Sequence, residues 1–302
     1  MTRVATFAHH AQLVAAMQQH QARLAIANQQ LATGKRGDSY DALGLDAVRQ
    51  IDLSAVRARE LAYGDAARRA SAVLDAQDLH LGQLRDAALG LRDAVLGALA
   101  AGEARGLGTA ANAAFQSLSG ALNADFAGRP LFGGGLAAGN AFTPASLADL
   151  VGLAATADAF ANGPIAGEAL VGDAQTLSIG FGADTVGGPL AEALRQLGAL
   201  LPIDGPLDAA ETAALEAVLP LIEAAVSEAN VVQAENGARA AAADAAGKAA
   251  DARANEFEVA LAQIEDVDPA EAITRLQAEQ TALQASYQVL AQLGRLSLVN
   301  FI

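Results

Sequence analysis

The chain of 302 residues contains no cysteine and no tryptophan, and aromatic residues make up only 4% of it. The absence of cysteine excludes disulfide bonds, thiol catalysis and thiolate metal sites. Hydrophobic residues still amount to 53%, and alanine supplies much of that fraction. Because alanine-rich helices with few aromatic side chains pack closely on one another, this composition favours long bundled helices over a compact enzyme domain.

Long apolar runs are also missing. No stretch of about 18 uninterrupted apolar residues occurs, so we expect no helix inserted in a membrane. The N-terminal residues lack the apolar core of a secretory signal peptide, and an exported form of this chain would need another route.

Basic residues are scarce in the middle of the chain. Residues 1–69 carry nine basic and six acidic side chains, whereas residues 151–238 carry one basic side chain, Arg195, and 12 acidic ones. The net charge of −15 opposes binding to the phosphates of nucleic acid. An acidic middle suits either the outward part of a larger assembly or a soluble surface without a partner.

The patterns that would indicate chemistry are weak. Adjacent histidines on a helix point about 100° apart, which makes a metal site at His9 and His10 geometrically poor, and His20 and His80 stand alone. The glycine-rich stretch "GGGLAAG" (133–139) lacks the Lys-Ser/Thr of a phosphate loop and is interpreted as a turn. The carboxylates of "IEDVD" could bind calcium, but helix capping is the preferred interpretation. We therefore expect no catalytic, cofactor-binding or metal-binding residues.

Both ends of the chain are predicted to be helical. Residues 4–33 show a heptad spacing, and Gly34 is expected to end this helix in the left-handed conformation. Ser39 or Asp41 is expected to cap the next helix, which runs without proline from about Leu43 to Ala101. A further helix is predicted from Thr109 to Phe126.

The middle of the chain differs in composition and in predicted secondary structure. Residues 127–144 are glycine-rich and predict a hairpin or tight loop, within a small β-containing insertion over 130–187. A helix is expected to start at Pro189, which suits a first helical position, and to end at Leu201. Another starts after Asp208, and Pro220 is expected to kink or interrupt it.

The stretch "QIEDVDPAEAI" (263–273) predicts a helix end followed by a helix start. Asp268 suits the N-cap, Pro269 the first helical position and Glu271 the third, which is an aspartate variant of the capping box. The final helix again has a heptad face. We expect the N- and C-terminal helices to pack together and neighbouring copies to cover what remains apolar, although both could be ordinary bundle helices within one monomer.

The residues expected to carry these contacts are mostly apolar positions on the two terminal heptad faces. They are Leu13, Met17, Leu24, Leu31, Ile273, Leu276, Leu283, Tyr287, Leu290, Leu293, Leu296 and Phe301.

Four motifs resemble those of the bacterial flagellin superfamily. "QLATGKR" (30–36) is similar to the turn that ends its N-terminal helix, and "IEDVDPAEAI" to the segment before its last helix. The turn Gly128, Arg129, Leu131, Phe132 and Gly134 follows an asparagine-containing helix end, as in the hook-associated subgroup. The final "LSLVNFI" (296–302) also resembles that subgroup, in particular the hook-associated protein 3 type at the hook–filament junction.

The resemblance implies a mainly α-helical fold: a long antiparallel helical bundle or coiled coil formed by both chain ends, with a small β-containing insertion in the centre. It divides the chain into a terminal coiled coil (1–40 with 267–302), a helical core (41–129 with 188–266) and an outward insertion (130–187). It further implies terminal helices that are poorly ordered in the monomer and pair on assembly.

The resemblance also implies a function. The chain would be a structural subunit of the extracellular flagellum, exported unfolded through the flagellar type III apparatus without a cleaved signal peptide. Its expected partners are further copies in a ring, a neighbouring hook-associated protein, flagellin and an export chaperone. The alternatives are a flagellin that polymerises into the filament, a protein that binds lipid or granule surfaces through amphipathic helices, and an enzyme, for which no site is found.

Overall fold

The computed structural model describes residues 2–37, 43–164, 167–203 and 205–299, with side chains between residues 11 and 292 of those ranges. The proposed caps Ser39 and Asp41 lie outside the described residues. The chain is mainly helical, as predicted, with long helices at both ends and short strands in the middle. The helices are α1 (Thr2–Thr33), α2 (Ala47–Ala101), α3 (Leu107–Leu122), α4 (Leu147–Val151), α5 (Ala183–Leu200), α6 (Ala209–Glu265) and α7 (Pro269–Val299).

The chain divides into two compact units. The terminal unit comprises Met1–Arg59 and Arg253–Ile302, and the middle unit comprises Glu60–Ala252. Helices α2 and α6 therefore contribute residues to both units. The three domains expected from the sequence remain a prediction in their detailed bounds. No described helix has the length and apolarity needed to cross a lipid bilayer.

The middle unit contains the large hydrophobic core. Leucines of α2, α3 and α5 are fully buried there, among them Leu81, Leu118 and Leu194. Phe142 lies at its centre, with its ring centroid 5.9 Å from that of Phe115 and 5.5 Å from that of Phe160. Tilted rings at such distances are a favourable arrangement of aromatic quadrupoles. These few aromatic residues are thus concentrated where the loop 131–160 joins the helices.

Helix α3 ends at Leu122, four residues earlier than predicted. The side chain of Asn123 donates to the Phe142 carbonyl and accepts from the Phe142 amide, both at 2.9 Å. These two hydrogen bonds hold the residue after the helix against the backbone of Phe142 and satisfy both polar groups of the Asn123 side chain. The chain can then turn back as a hairpin of β1 (Asp125–Phe126) and β2 (Arg129–Pro130).

The glycines after this hairpin allow two backbone segments to cross in contact. The Gly163 amide donates to the Gly133 carbonyl at 2.9 Å. A Cβ on Gly134 would overlap the Gly163 carbonyl oxygen, and Gly134 itself has a φ of +54°. Close approach and positive φ both require glycine at this point. The run "GGG" therefore has a structural explanation within the chain crossing.

The second hairpin covers the two long helices. Its strands are β3 (Glu168–Gly172) and β4 (Gln175–Ser178), paired antiparallel. Val171 packs in a small cluster with Ala67 of α2 and Ala246 of α6. After β4, the Arg239 guanidinium lies 4.2 Å from the centroid of the Phe181 ring. This sheet confirms the small β-containing insertion predicted from the alternating sequence.

One of the two proline predictions is wrong. Helix α5 begins at Ala183 rather than Pro189, and Pro189 lies inside it. At Pro220 a kink or an interruption was expected, and helix α6 continues through this residue without interruption. A proline inside a helix loses one backbone hydrogen bond. Packing offsets that loss, because residues before and after each proline are buried, including Val186, Leu190 and Val218.

A polar cluster attaches the 3-10 turn Thr156–Ala159 to α5. Arg195 donates to Glu192 through Nη2 at 2.8 Å and Nε at 3.0 Å, and Thr156 and Gln196 also donate to Glu192. The Arg195 guanidinium and these donors lower the pKa of Glu192 to about 2. Arg195, the one basic residue of the acidic segment 151–238, therefore has a structural role: it pairs with Glu192 inside the middle unit.

Replacing Gly134 with alanine should destabilise the middle unit strongly, because the new Cβ meets a backbone oxygen and the positive φ is unfavourable. We expect a loss of about 3 kcal/mol or more in the free energy of unfolding, measured by urea denaturation. Gly128→Ala is the matched control, since Gly128 has a φ of +78° with open space around it. It should cost only about 1 kcal/mol, and equal losses in both variants would contradict the crossing.

Candidate self-assembly region of the terminal unit

The two motifs at the chain ends contact each other directly. Lys35, just after α1, forms an isolated antiparallel bridge with Asp266, just after α6. The Arg36 amide donates to the Glu265 carbonyl at 2.7 Å, and the Val267 amide donates to the Gly34 carbonyl at 3.0 Å. We call this contact between residues 34–36 and 265–267 the clasp. It joins segments that lie about 230 residues apart in the sequence.

The turn "QLATGKR" folds locally into the shape that the clasp requires. Gly34 has a φ of +70°, and its amide donates to the Gln30 carbonyl at 2.8 Å, so α1 ends as predicted in the left-handed conformation. The Gln30 side chain then donates to the Arg36 carbonyl at 2.8 Å. The helix end is thus held on both sides of the glycine.

Charged side chains reinforce the clasp. Lys35 Nζ lies 2.7 Å from Asp266 Oδ1 and 3.1 Å from Glu265 Oε2, and these two hydrogen bonds raise the pKa of Lys35. The Gln50 amide donates to Glu265 Oε1 at 2.8 Å. This bond, followed by that from Lys35, lowers the pKa of Glu265. Gln50 thereby connects the start of α2 to the clasp.

Helix α7 begins with one of the two interactions of the predicted capping box. Asp268 Oδ1 accepts from the Ala270 amide at 2.8 Å and from the Glu271 amide at 3.4 Å. The predicted return bond of Glu271 is replaced by an ion pair with Arg275 at 2.5 Å. Residues four apart on a helix meet readily, which favours this alternative. The carboxylates of "IEDVD" therefore act in capping and in the clasp.

Beyond the clasp, α1 and α7 pack antiparallel, as predicted for the terminal helices. His20 Nδ1 lies 2.5 Å from Glu279 Oε2, and the Gln21 side chain donates to the Tyr287 hydroxyl at 3.0 Å. On α1 the covered residues follow the predicted heptad face. On α7 the spacing is again four and three. The two sets are Leu13, Met17, His20, Leu24, Ala27 and Leu31, and Ala272, Leu276, Glu279, Leu283, Ser286 and Leu290.

The predicted contact residues fall into three groups. Leu13, Met17, Leu24, Leu31, Leu276, Leu283 and Leu290 are half-buried between α1 and α7. Ile273 and Tyr287 are largely exposed, although the Tyr287 hydroxyl contacts α1. The side chains of Leu293 and Leu296, and all of Phe301, lie outside the described residues.

Sequence reasoning missed several polar members of this region. Gln50 and Glu279 were not singled out, Glu265 was considered only as one of the clustered carboxylates, and Ala272 was not placed on the heptad face although it is buried. The charge pattern contained one signal. Glu279 is the single acidic residue between Leu276 and Gly294, and an isolated charge in an uncharged helix often has a partner.

The terminal unit buries very little apolar surface by itself. Among the described residues its buried apolar side chains are Ala27, Ala254, Leu261, Ile264 and Ala272. Eight of the 13 exposed large apolar side chains of the described chain belong to it: Ile26, Leu45, Val48, Ile51, Val259, Ile273, Tyr287 and Val289. Exposed large apolar side chains are thus concentrated in the unit that has the smaller core.

Net charge is also distributed unequally between the two units. The terminal unit carries ten basic and 11 acidic residues, a net charge of −1, and the middle unit carries nine and 23, a net charge of −14. Like-charged surfaces repel when copies approach each other. The nearly neutral unit is therefore the one in which copies can pack with little repulsion.

Among the described residues no group of three or more acidic or histidine side chains could hold a metal ion.

Comparisons with known proteins agree with this architecture. Residues 219–302 match the family model of the bacterial flagellin C-terminal helical region. A search of curated protein sequences gives no match. Among solved structures, a protein of Vibrio parahaemolyticus assigned as a flagellar hook-associated protein is similar, with 16% identity and a TM-score of 0.55 over 72% of this chain and 98% of that one.

A second similar structure is FlgL of Bacillus cereus, with 15% identity and a TM-score of 0.56 over 71% of this chain and 99% of that one. The resemblance expected from the sequence is thus confirmed at two levels: residues 219–302 match a flagellin family model, and the chain shares its fold with these two solved structures. The family match over residues 219–302 agrees with the prediction that this chain is not an enzyme.

Replacing Lys35 with methionine should loosen the start of α7, because the clasp loses its ammonium group. We expect amide hydrogen-exchange protection in the first turns of α7 to fall by up to about fivefold at pH 7, the range of an exposed ion pair. Lys248→Met is the matched control. Lys248 pairs with Asp244 along α6, and its loss should leave α7 unchanged.

The clasp should also depend on pH in a defined direction. The lowered pKa of Glu265 means that its contribution is present above its ordinary value of 4.5 and is lost as the pH falls below it. The raised pKa of Lys35 means that its contribution is present below its ordinary value of 10.5 and is lost as the pH rises beyond it. Protection of α7 should therefore be greatest between about pH 5 and 10. In Lys35→Met the alkaline loss should disappear.

Proposed function

We propose that this chain is a structural subunit of the bacterial flagellum that joins the hook to the filament. It assembles as a ring of copies through its terminal helices. The observation that carries the proposal is the terminal unit itself: two terminal helices joined by the clasp, nearly neutral, with eight of the 13 exposed large apolar side chains of the described residues. Such a unit is stabilised when neighbouring copies cover it.

Two features favour the junction over the filament. The "GRPLFGG" turn forms the tight hairpin and glycine crossing of the middle unit, and the "LSLVNFI" ending resembles the hook-associated subgroup. The similar solved structures are themselves described as hook-associated or as FlgL. A flagellin of the filament is the second candidate, because the matching family model is that of the flagellin C-terminal region.

The remaining roles follow from assembly. The middle unit, with its net charge of −14, would face outward. The neighbours would be another hook-associated protein on one side and flagellin on the other. Export through the flagellar type III apparatus, with the help of a chaperone and without a cleaved signal peptide, belongs to the same proposal. Binding to anionic membranes is disfavoured, since the acidic surface would be repelled.

Deletion of the gene in the source bacterium should leave hooks without attached filaments and release flagellin into the medium. Electron microscopy of the cells and immunoblotting of the medium measure the two effects. Expression of the full chain from a plasmid is the control and should restore attached filaments. Filaments still attached in the deletion strain, once a second gene copy has been excluded, would contradict the junction role.

Proteolysis should distinguish the monomer from the assembled protein. In a dilute monomer, a protease should remove about 30–40 residues from each end while the middle unit survives, because the terminal unit has so little core. Assembly should protect the same segments. Mass spectrometry of the fragments gives the cut sites, and equal protection of both ends in dilute monomer would oppose the assembly role.

A further inference from the structure

One polar pair lies in a seam of mostly apolar side chains between α1 and α7. The seam consists of the two heptad sets given above, and His20 and Glu279 are the titratable side chains in it. His20 Nδ1 donates to Glu279 Oε2 at 2.5 Å, since a carboxylate can only accept. The Glu279 side chain is only 16% exposed, and Arg23, at 3.7 Å, is a largely exposed neighbour. The carboxylate is thus largely removed from water, with the imidazole as its hydrogen-bond donor.

The order of side chains along the two helices matches in this register. Because the helices are antiparallel and His20 meets Glu279, equal steps in opposite directions lead to level positions, to within one residue. Apolar side chains then face apolar ones on both sides of the polar pair. The level pairs are Leu24 with Leu276, Met17 with Leu283 and Ala27 with Ala272.

The apolar residues alone do not distinguish this register from its neighbours. A slip of one heptad in one direction would set Leu24 opposite Leu283. A slip in the other direction would set Met17 opposite Leu276. Both alignments still bury large apolar side chains against each other, and an evenly repeating apolar pattern specifies register weakly.

The polar pair responds differently to the same two slips. A largely buried carboxylate that loses its donor is strongly unfavourable, whereas a paired one makes a net contribution near zero. A polar contact of this kind therefore selects one alignment more than it stabilises the pairing, as a single polar core residue does in coiled coils. After a slip the facing residues would be Ala27 or Leu13 for Glu279, and Ser286 or Ala272 for His20.

We propose that the His20–Glu279 pair is a second determinant of the register between α1 and α7, which holds their alignment when the clasp is open. The ion pairs of the clasp are about half exposed, with Lys35 at 44% and Asp266 at 49%, and such contacts exchange readily with water. His20 precedes Lys35 by 15 residues, about four turns of α1. The pair therefore acts at a separate point of the seam. The inference concerns how two helices pair and does not depend on where the assembled protein functions.

A chain with an open clasp isolates the contribution of the pair. Lys35→Met/Arg36→Pro removes the ammonium group that contacts Asp266 and the Arg36 amide that donates to Glu265. All measurements use the full-length chain at low micromolar concentration. The middle unit contains none of the changed residues, so its melting temperature is the control for folding.

Engineered disulfides report the register in this background, because the chain has no cysteine of its own. Leu24→Cys/Leu276→Cys reports the observed register. Leu24→Cys/Leu283→Cys and Met17→Cys/Leu276→Cys report the two slips of one heptad. The fraction of intrachain disulfide is measured for each by mass spectrometry after equilibration in a glutathione buffer.

With the pair intact, the disulfide of the observed register should exceed each slipped one at least about tenfold, because a slip leaves a buried charge unpaired. In His20→Leu/Glu279→Leu the excess should fall to about twofold or less, since leucines pack in all three alignments. The swapped pair His20→Glu/Glu279→His should restore it. A tenfold excess that persists in the leucine variant, a swap without effect, or equal disulfides with the pair intact overturns the inference.

His20→Leu alone, with the clasp intact, separates the pair from an ordinary packing position. Leucine adds apolar surface to the seam, so a position that served packing alone should gain hydrogen-exchange protection in α7. We expect protection around Glu279 to fall about five- to tenfold instead, because its carboxylate stays buried without a donor. Ser286→Leu is the matched control. The Ser286 hydroxyl donates to the Ala282 carbonyl of its own helix at 2.8 Å, so its loss should not lower protection. A gain in both variants contradicts the inference.

Discussion

The clasp between residues 34–36 and 265–267 fixes the arrangement on which the terminal unit depends. Two backbone hydrogen bonds and the Lys35 ion pairs join the end of α1 to the end of α6. Because α7 starts three residues later, its register on α1 is already determined there. Counting outward from Lys35 and Asp266, the helices bring His20 and Glu279 into contact. The clasp thus sets the orientation of α7 relative to α1, since the apolar contacts between these two helices are few.

In the middle unit, small residues allow the long helices to approach closely. A Cβ on Gly247 would touch that of Ala67, and one on Gly64 would collide with Asp251. Close backbone approach gives dispersion contacts without bulky side chains, which suits a chain with so few aromatic residues. Three of the phenylalanine rings, those of Phe115, Phe142 and Phe160, pack together where a loop is held against helices.

The two units differ in the size of their hydrophobic core and in their net charge. The middle unit has a core of its own and can carry a net charge of −14, because charge on its surface opposes aggregation. The terminal unit has almost no core and almost no net charge. Under the proposed assembly, its stability would be coupled to the surfaces of other copies, because contacts between copies would supply the apolar burial that the unit lacks by itself.

Much of the helical architecture could be predicted from the sequence. The absence of proline over 43–101, the heptads at both ends, Gly34 as a helix terminator and Asp268 as a cap all depend on residues within one or two turns of each other. The errors arose where distant residues decide. Pro189 lies inside a helix because the residues on either side are buried, and α3 stops at Leu122 because Asn123 bonds to the backbone of Phe142. On α7 the heptad was assigned through Ile273, whereas Ala272 is the buried residue, since close packing near the clasp favours the smaller side chain.

Residue order alone was enough to predict that the ends are helices, that they break and restart at "GKR" and "EDVDP", and that the chain is acidic in its middle. These properties follow from local backbone preferences and from composition. The folded structure was needed to show that the two breaks form one contact, in which Lys35 meets Glu265 and Asp266. It also decided that the apolar residues at the start of α2 face away from α6. Both depend on which residues a folded chain brings together across more than 200 positions, and no local preference encodes that.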